Sequence, residues 1–453
     1  DLGELEAAAK SYGKALALAP DYAQAYSNLG HVQREQGKLD EAIGSYRQAI
    51  ALQPDLYLAH QALGLALRMR GELTDARGHL RIALALGTAE SHNSYATVLR
   101  DCDELDDAIS HYREAVSLAP HLTDAYVNLS GTLRLRGLLA DARSAAQRAV
   151  ALDPEMAAAW NSLGNVQHSL DDLPAATRSH RRALELNPAD SATHHNLALV
   201  LLKQDQPDEA LDHAREALKS GEPNASMLVN FGDIVRAQGD IESALSAYRE
   251  ALTLRPAEPL SIWQRLLFCA AGIHTVSPEA FAADARRCAA LLQAGTTPYQ
   301  HARDAGQRAR RLRVGFVSGD LRQHPVGIFL ESVLEHIDTQ HFELFAYSTS
   351  KERDDVTSRL TRHFGAWQPL HDLRPEDAAR RVYADKIDIL VDLAGHTQFS
   401  GLPLFAWKPA PVQVSWLGFF ATTGSKDIDY FLGDRHVLPE GEESHFVEKP
   451  WRL

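Results

Sequence analysis

Along the first 256 residues, small and large apolar positions recur with a long fixed period laid over a helical rhythm. The segments ALALAP, AIALQP, IALALGT, AVSLAP, AVALDP, ALELNP, ALKSGEP and ALTLRP close successive periods. They end at Pro20, Pro54, Thr88, Pro120, Pro154, Pro188, Pro223 and Pro256, so the spacings are 34, 34, 32, 34, 34, 35 and 33 residues. Within each period the pattern predicts a helical hairpin. Gly30, Ala42 and Ala49 sit where two helices must approach, and Leu29, Ile43 and Tyr46 fill the space beside them. Gly37 is expected to end the first helix in the left-handed conformation, and Pro54 to stop the second.

Such a unit resembles the tetratricopeptide repeat. Single hairpins of this kind cannot bury their apolar faces, so they are expected to stack into a superhelix with a groove. The chain opens on LGELEAAAKSYGKALALAP, which reads as the second helix of a repeat, so Asp1 is expected to be a boundary or a processed end. Asn28, Asn128, Asn196 and Asn230 fall in register on first helices, where Ala62 and Ser162 hold the equivalent places. An amide both donates and accepts, which suits the backbone of an extended peptide in the groove. The same four residues could instead bond across the helix stack.

The pattern changes after residue 256. SIWQRLLFCAAG and SPEAFAADARRCAALLQ read as helices, and QHARDAGQRARR as a basic connector, which makes 257–311 a helical linker. From 312 to 453, short apolar runs alternate with helical ones. LRVGFVS, FELFAYS, IDILVDL, PVQVSWLG and DIDYFLGD are the predicted strands. VGIFLESVLEHI, DDVTSRLTRHF, PEDAARRVYAD and LPLFAWK are the predicted helices between them. Alternation of this kind implies βαβ units and a buried parallel sheet, that is, a Rossmann-like lobe. Such sheets bind ligands beyond the C-terminal ends of their strands. Those ends carry SGDLRQHPVGIF with His324 and Pro325, DLAGHTQFSG with Asp392, Gly395, His396 and Thr397, and WLGFFATTG with Leu417, Gly418, Thr422 and Thr423. Glycines and hydroxyls at such turns allow close approach to a sugar or phosphate.

Composition narrows the partners. Of 453 residues, 46 are Lys or Arg and 60 are Asp or Glu, a net charge of −14 that argues against a nucleic-acid or anionic-membrane surface. No segment reaches the length of a membrane-spanning helix. Cys102, Cys269 and Cys288 are too few and scattered for a disulfide framework and read as small hydrophobes, so a cytoplasmic setting is expected. No His, Asp and Glu cluster has metal-ligand spacing on a helix, so no metal is expected.

The motifs RVGFVSGDLRQHPVG, ILVDLAGHT, PAPVQVSWLGFFATTG and DIDYFLGD together resemble the N-terminal catalytic lobe of the O-linked N-acetylglucosamine transferases. That family joins tetratricopeptide repeats to a two-lobed GT-B fold, has bacterial members, and includes plant O-fucosyl relatives. The resemblance implies repeats over 1–256, the N-terminal lobe over 312–453, and a donor-binding second lobe that this chain does not contain. It implies transfer of N-acetylglucosamine from UDP-N-acetylglucosamine to Ser or Thr of protein acceptors held by the repeats, without a metal or other cofactor. It places His324 at the sugar-transfer centre as a candidate base. Pro325, Gly395, His396, Thr397, Leu417 and Gly418 would line the donor and acceptor cleft. Animal members carry tyrosine at the position of His396. The family's lysine that neutralises the leaving diphosphate lies on the second lobe, so the 453 residues alone are expected to transfer no sugar. GDP-fucose as donor, or a repeat scaffold without catalysis, are the other readings.

Overall fold

The structure is a computed structural model that describes residues 2–301 and 310–453. Most of the basic connector 300–311 lies outside the described residues. The helical array starts with α1 (Leu2–Leu18), α2 (Ala23–Glu35) and α3 (Leu39–Leu52). It continues with α4 (Tyr57–Met69), α5 (Leu73–Ala83), α6 (Ala89–Asp101), α7 (Leu105–Leu118), α8 (Thr123–Leu135) and α9 (Leu139–Leu152). Then come α10 (Ala157–Ser169), α11 (Leu173–Leu186), α12 (Ser191–Lys203), α13 (Pro207–Lys219), α14 (Ala225–Ala237) and α15 (Ile241–Thr253). The chain divides into two compact units at Glu222 and Pro223, so the hairpin α14–α15 belongs to the unit that also holds the sheet.

Four of the hairpins are locked by a size match at one pair of positions. Gly30 faces Tyr46, Gly64 faces Leu80, Gly164 faces His180 and Gly232 faces Tyr248; a Cβ on any of these glycines would lie 2.5–2.8 Å from the facing side chain. Where the first helix carries Ser130, the facing position is Ala146, whose backbone neighbour Ala142 accepts the Ser130 hydroxyl at 3.0 Å. The turn between the two helices is left-handed in every hairpin. Gly37 has φ +77 as expected, but Asp103, Asp171 and Asp205 hold the equivalent turn at φ 63, 61 and 58. Aspartate tolerates that conformation better than most side chains because it bonds locally.

Within the first unit, α2, α4, α6, α8, α10 and α12 also touch one another from hairpin to hairpin. First helices therefore form the tighter, inner wall of the stack, and residues on their free face look into the groove.

The second unit adds α16 (Leu260–Ala270) and α17 (Pro278–Gln293), then the α/β region. Its elements are β1 (Leu312–Ser318), α18 (Pro325–Leu334), β2 (Phe342–Ser348), α19 (Asp355–Leu360), β3 (Ala366–Pro369), α20 (Pro375–Ala384) and β4 (Ile389–Asp392). After them follow α21 (Leu402–Phe405), β5 (Val412–Trp416), β6 (Tyr430–Gly433) and β7 (Lys449–Arg452). The seven strands pair in parallel in the order β3-β2-β1-β4-β5-β6-β7. Alternate residues of β1 serve opposite cores. Val314 and Phe316 pack with Leu330 and Leu360, whereas Val317 packs with Leu390 and Phe405. Helices thus cover both faces, the doubly wound arrangement. Sequence reading missed β3 and β7, which are the two edge strands. β3 has no buried residue, and β7 contains Pro450, which an edge tolerates.

Helix α17 seats the sheet region on the helices before it. Gly424, at φ +75, lies so close to α17 that a Cβ would be 2.2 Å from the Ala285 carbonyl carbon. Gln293 Nε2 donates to Asp427, and the rings of Phe281 and Phe419 lie 6.4 Å apart.

Candidate functional site

The strand order reverses between β1 and β4, and the two loops with the strongest sequence signal leave those neighbouring strands. After β1, the loop turns sharply into α18. Gly327 permits the turn, because a Cβ there would be 2.3 Å from the Arg322 carbonyl oxygen. The loop is also pinned from outside: Asp354, the N-cap of α19, accepts from the Gln323 backbone N–H at 2.6 Å, and Thr357 Oγ1 donates to the Leu321 carbonyl at 2.9 Å.

His324 is the N-cap of α18. Its Nδ1 accepts from the Val326 N–H at 3.3 Å, and 39% of the side chain is exposed. The buried Asp320 carboxylate lies 3.8 Å from the same Nδ1. Pro325 follows, exposed, at the first helical position, where its missing N–H costs nothing.

The loop after β4 is ordered by Asp392. This fully buried carboxylate accepts from the Gly395 N–H at 2.8 Å and the Ala394 N–H at 3.2 Å, while burial raises its pKa to about 6. Gly395 itself is buried at φ +55 beneath Phe419. His396 is also buried. One ring nitrogen, Nε2, bonds the Thr423 carbonyl at 2.9 Å, the ring stands edge-on to Phe419, and Nδ1 has no partner. Burial lowers the His396 pKa to about 4, so the ring is neutral and donates through Nε2. Thr397 Oγ1 donates back to the Ala394 carbonyl at 2.8 Å.

The loop after β5 meets the loop after β4 backbone to backbone. Leu417 adopts φ +71, and a Cβ on Gly418 would lie 1.8 Å from the Leu393 carbonyl oxygen. Farther along, Thr422 and Thr423 donate their hydroxyls to the buried Glu448, which also accepts the Thr423 N–H at 2.7 Å. The chain Glu448–Thr423–His396 therefore ties the approach to β7 to the GHT turn. Sequence reasoning missed Asp354 and Glu448 as supports, because neither lies in a glycine turn or beside one. The sequence does contain two Asp-x-Asp triplets that reading passed over. Both serve ion pairs: Asp101 with Arg68 and Arg100, and Asp429 with Lys408. Among the described residues no group of three His, Cys, Asp or Glu side chains is placed to hold a metal ion.

A separate cavity of about 640 Å³ lies between Ala270–Phe281 and the stretch from Phe420 to Phe446. None of the predicted cleft residues lines it. In the repeats, Asn128 Nδ2 donates to Asn93 Oδ1 and Asn196 Nδ2 to Asn161 Oδ1, each at 3.1 Å. Asn28 Oδ1 accepts from Gln24 at 3.4 Å, and Asn230 is half-buried. Two of the four asparagines thus bond across the stack while remaining half-exposed to the groove. Cys269 and Cys288 are buried, and burial pushes the Cys288 thiol up to about 12. No helix among the described residues is long and apolar enough to cross a membrane.

A stacked hairpin array followed by a parallel α/β region with its glycine turns at the strand-order reversal is the layout of a repeat-bearing GT-B glycosyltransferase. The family follows from comparison. Residues 281–451 match glycosyl transferase family 41, and tetratricopeptide repeat profiles match 23–56, 62–123, 131–191 and 190–257. The match to family 41 thus falls on the α/β region and the helix before it, and the repeat profiles fall on the helical array. A probable UDP-N-acetylglucosamine–peptide N-acetylglucosaminyltransferase SPINDLY of Solanum lycopersicum is 34% identical over 148 residues, covering 32% of this chain and 16% of that protein. The UDP-N-acetylglucosamine–peptide N-acetylglucosaminyltransferase of Caenorhabditis elegans is 33% identical over 158 residues, covering 34% of this chain and 14% of that protein. A mutant of the Thermobaculum terrenum O-GlcNAc transferase superposes with a TM-score of 0.56 at 32% identity, covering 66% of this chain and 58% of that one. The matched region therefore spans less than a fifth of these two curated relatives.

Proposed function

We propose that the chain supplies the acceptor-guiding repeats and the first lobe of an inverting protein O-glycosyltransferase. The reaction moves N-acetylglucosamine from UDP-N-acetylglucosamine to Ser or Thr hydroxyls of proteins. The observation that carries this reading is the coincidence of the family 41 match with the loops at the β1–β4 reversal, where His324 is half-exposed. Transfer breaks the bond from the anomeric carbon to the diphosphate, forms one to the acceptor oxygen, and releases the acceptor proton. The residues His324, Pro325, Thr397, Leu417 and Gly418 are assigned to the acceptor side of this centre, with Gly395 and His396 shaping it from behind. A second lobe holds the nucleotide and its diphosphate in this reading.

His324 has one free edge, Nε2, because the α18 cap occupies Nδ1. A neutral ring with Nδ1 accepting carries its proton on Nε2 and offers a donor to substrate oxygen. Service as a base requires the ring to give up the cap first. The groove asparagines Asn28, Asn128, Asn196 and Asn230 are assigned to peptide backbone along the inner wall, and protein acceptors are the partners.

Two nucleotides separate the readings. Thermal-shift titration of the full-length protein with UDP-N-acetylglucosamine and with GDP-fucose should stabilise it with the first only. Stabilisation by GDP-fucose alone would mark a fucosyltransferase, and by neither a scaffold. Residues 1–453 expressed alone should turn over neither donor.

A further inference from the structure

The groove of the first unit contains an arginine ladder with one rung left open. Arg34, Arg68, Arg100 and Arg134 occupy the same position of successive first helices, and His168 continues the row. Three rungs touch a carboxylate: Arg34 pairs with Glu35 at 3.0 Å, and Arg68 and Arg100 share Asp101 at 2.5 and 3.1 Å. Arg68 finds its partner one repeat onward. The residue that stands in the same relation to Arg134 is Ser169, which carries no charge, and one repeat farther it is Lys203. Arg134 has no ion pair among the described residues, and burial without compensation lowers its pKa.

Around it the inner wall opens into a cavity of about 420 Å³ lined by Arg134, Asn165, His168, Asp171, Asn196 and Lys203, among others. His168 Nε2 is buried there with no hydrogen-bond partner. Burial and the charges of Lys203 and Arg134 hold that ring neutral, so the cavity's formal charges are Arg134, Lys203 and Asp171, a sum of one positive charge. A half-buried guanidinium without a counter-ion is costly, and its planar fork fits a carboxylate through two parallel hydrogen bonds. Asn165 and Asn196 bring amide donors to the same space.

We propose that this cavity binds the carboxylate of an acidic residue, Asp or Glu, in the protein acceptor lying along the groove. A single compensating charge matches one carboxylate better than a phosphate dianion. The acidic side chain would complete the ladder where the chain's own sequence supplies serine, and so would set the register of the acceptor in the repeats. This rests on the reading that the groove takes peptide acceptors, and it adds the chemical class they must carry.

Direct binding tests it without a sugar donor. Fluorescence polarisation of the full chain is measured with a short labelled peptide bearing two adjacent glutamates. The same peptide with glutamines, and one with phosphoserine, are the comparisons. The glutamate peptide should bind about tenfold more tightly than the glutamine peptide, the scale of a charge-assisted contact, and the gap should narrow as salt rises. Arg134→Gln should abolish the preference, bringing the glutamate peptide down to the affinity of the glutamine peptide. Lys203→Gln, at an exposed position, should reduce the preference without risk to folding. Equal binding of the glutamate and glutamine peptides would overturn this proposal and leave the peptide-guiding reading standing. Failure of all three peptides to bind would overturn both. A phosphoserine peptide outbinding the glutamate peptide would overturn the choice of carboxylate.

Discussion

The Nδ1 atom of His324 accepts the backbone N–H of Val326 at 3.3 Å, so the residue read as a catalytic candidate is also a helix cap. The two roles use opposite edges of one ring and can be separated by substitution. Asparagine caps helices well and places its oxygen where Nδ1 stands, but it has nothing at the Nε2 position. His324→Asn should lower transfer at least tenfold in the sugar-transferring protein while leaving the melting temperature nearly unchanged. His324→Ala should lose both, with a stability cost of about 1 kcal/mol for the lost cap. A His324→Asn variant with full activity would show that only the cap matters.

Acid should weaken the repeats through their buried histidines. His180 fills the space over Gly164 with no partner for either ring nitrogen, and burial lowers its pKa to about 4. An unfolded histidine titrates near 6.5, so the stability contributed by the neutral ring is complete above that pH. It is lost as pH falls towards 4, by about 3 kcal/mol in all. His79, His111 and His213 push in the same direction. Each is held low by burial and then by the first-helix histidine whose Nδ1 lies 2.9–3.0 Å from its own. His180→Leu copies the Gly64–Leu80 pair. Urea unfolding should show it more stable at pH 7, with a flatter decline to pH 5 than the parent.

Gly418 and Gly37 should respond differently to alanine. Gly37 needs only its left-handed turn and has open space around it, so Gly37→Ala should cost about 1 kcal/mol. Gly418 has no such turn, but its missing Cβ admits the Leu393 carbonyl. Gly418→Ala must part the loops after β4 and β5. Transfer should fall by more than the stability loss, about 1–3 kcal/mol for overpacking, explains. Equal effects at the two positions, read by calorimetry and by transfer, would show that loop contact is not needed.

The asparagine pairs allow the two roles of the groove amides to be told apart. Asn161→Ala removes only the acceptor that holds Asn196, and should cost about 1 kcal/mol of repeat stability with little effect on acceptors. Replacing Asn196 and Asn230 together should reduce glycosylation of whole proteins several-fold and of short peptides less. Equal losses on both acceptors would assign the asparagines to the stack.

Much of this architecture was written in local pattern. The period of the repeats follows from one hairpin's packing needs, β1 and β4 stand out as apolar runs leading into glycine turns, and β2 stands out as an apolar run. β3 escaped notice because Ala366–Pro369 buries no side chain fully. The environment of His396 was not legible either. Its burial depends on Phe419 and on a carbonyl 27 residues away, and the brace from Glu448 reaches Thr423 across 25. Hydrophobic spacing reports on neighbours along an element and is silent about such returns of the chain. The open rung at Arg134 was visible only once Asp101 was seen to neutralise Arg68 from the next helix.

The paired sizes inside each hairpin make the two helices inseparable partners in descent. A recombination joint between hairpins keeps Gly30 with Tyr46 and Ser130 with Ala146. A joint inside the turn would set a glycine against an alanine, leaving a hole where a phenol had been, or a serine against a tyrosine, with no room for the ring. Repeats of this kind can be gained, lost or reordered as whole cassettes, whereas a half-cassette must bring a partner of matching volume.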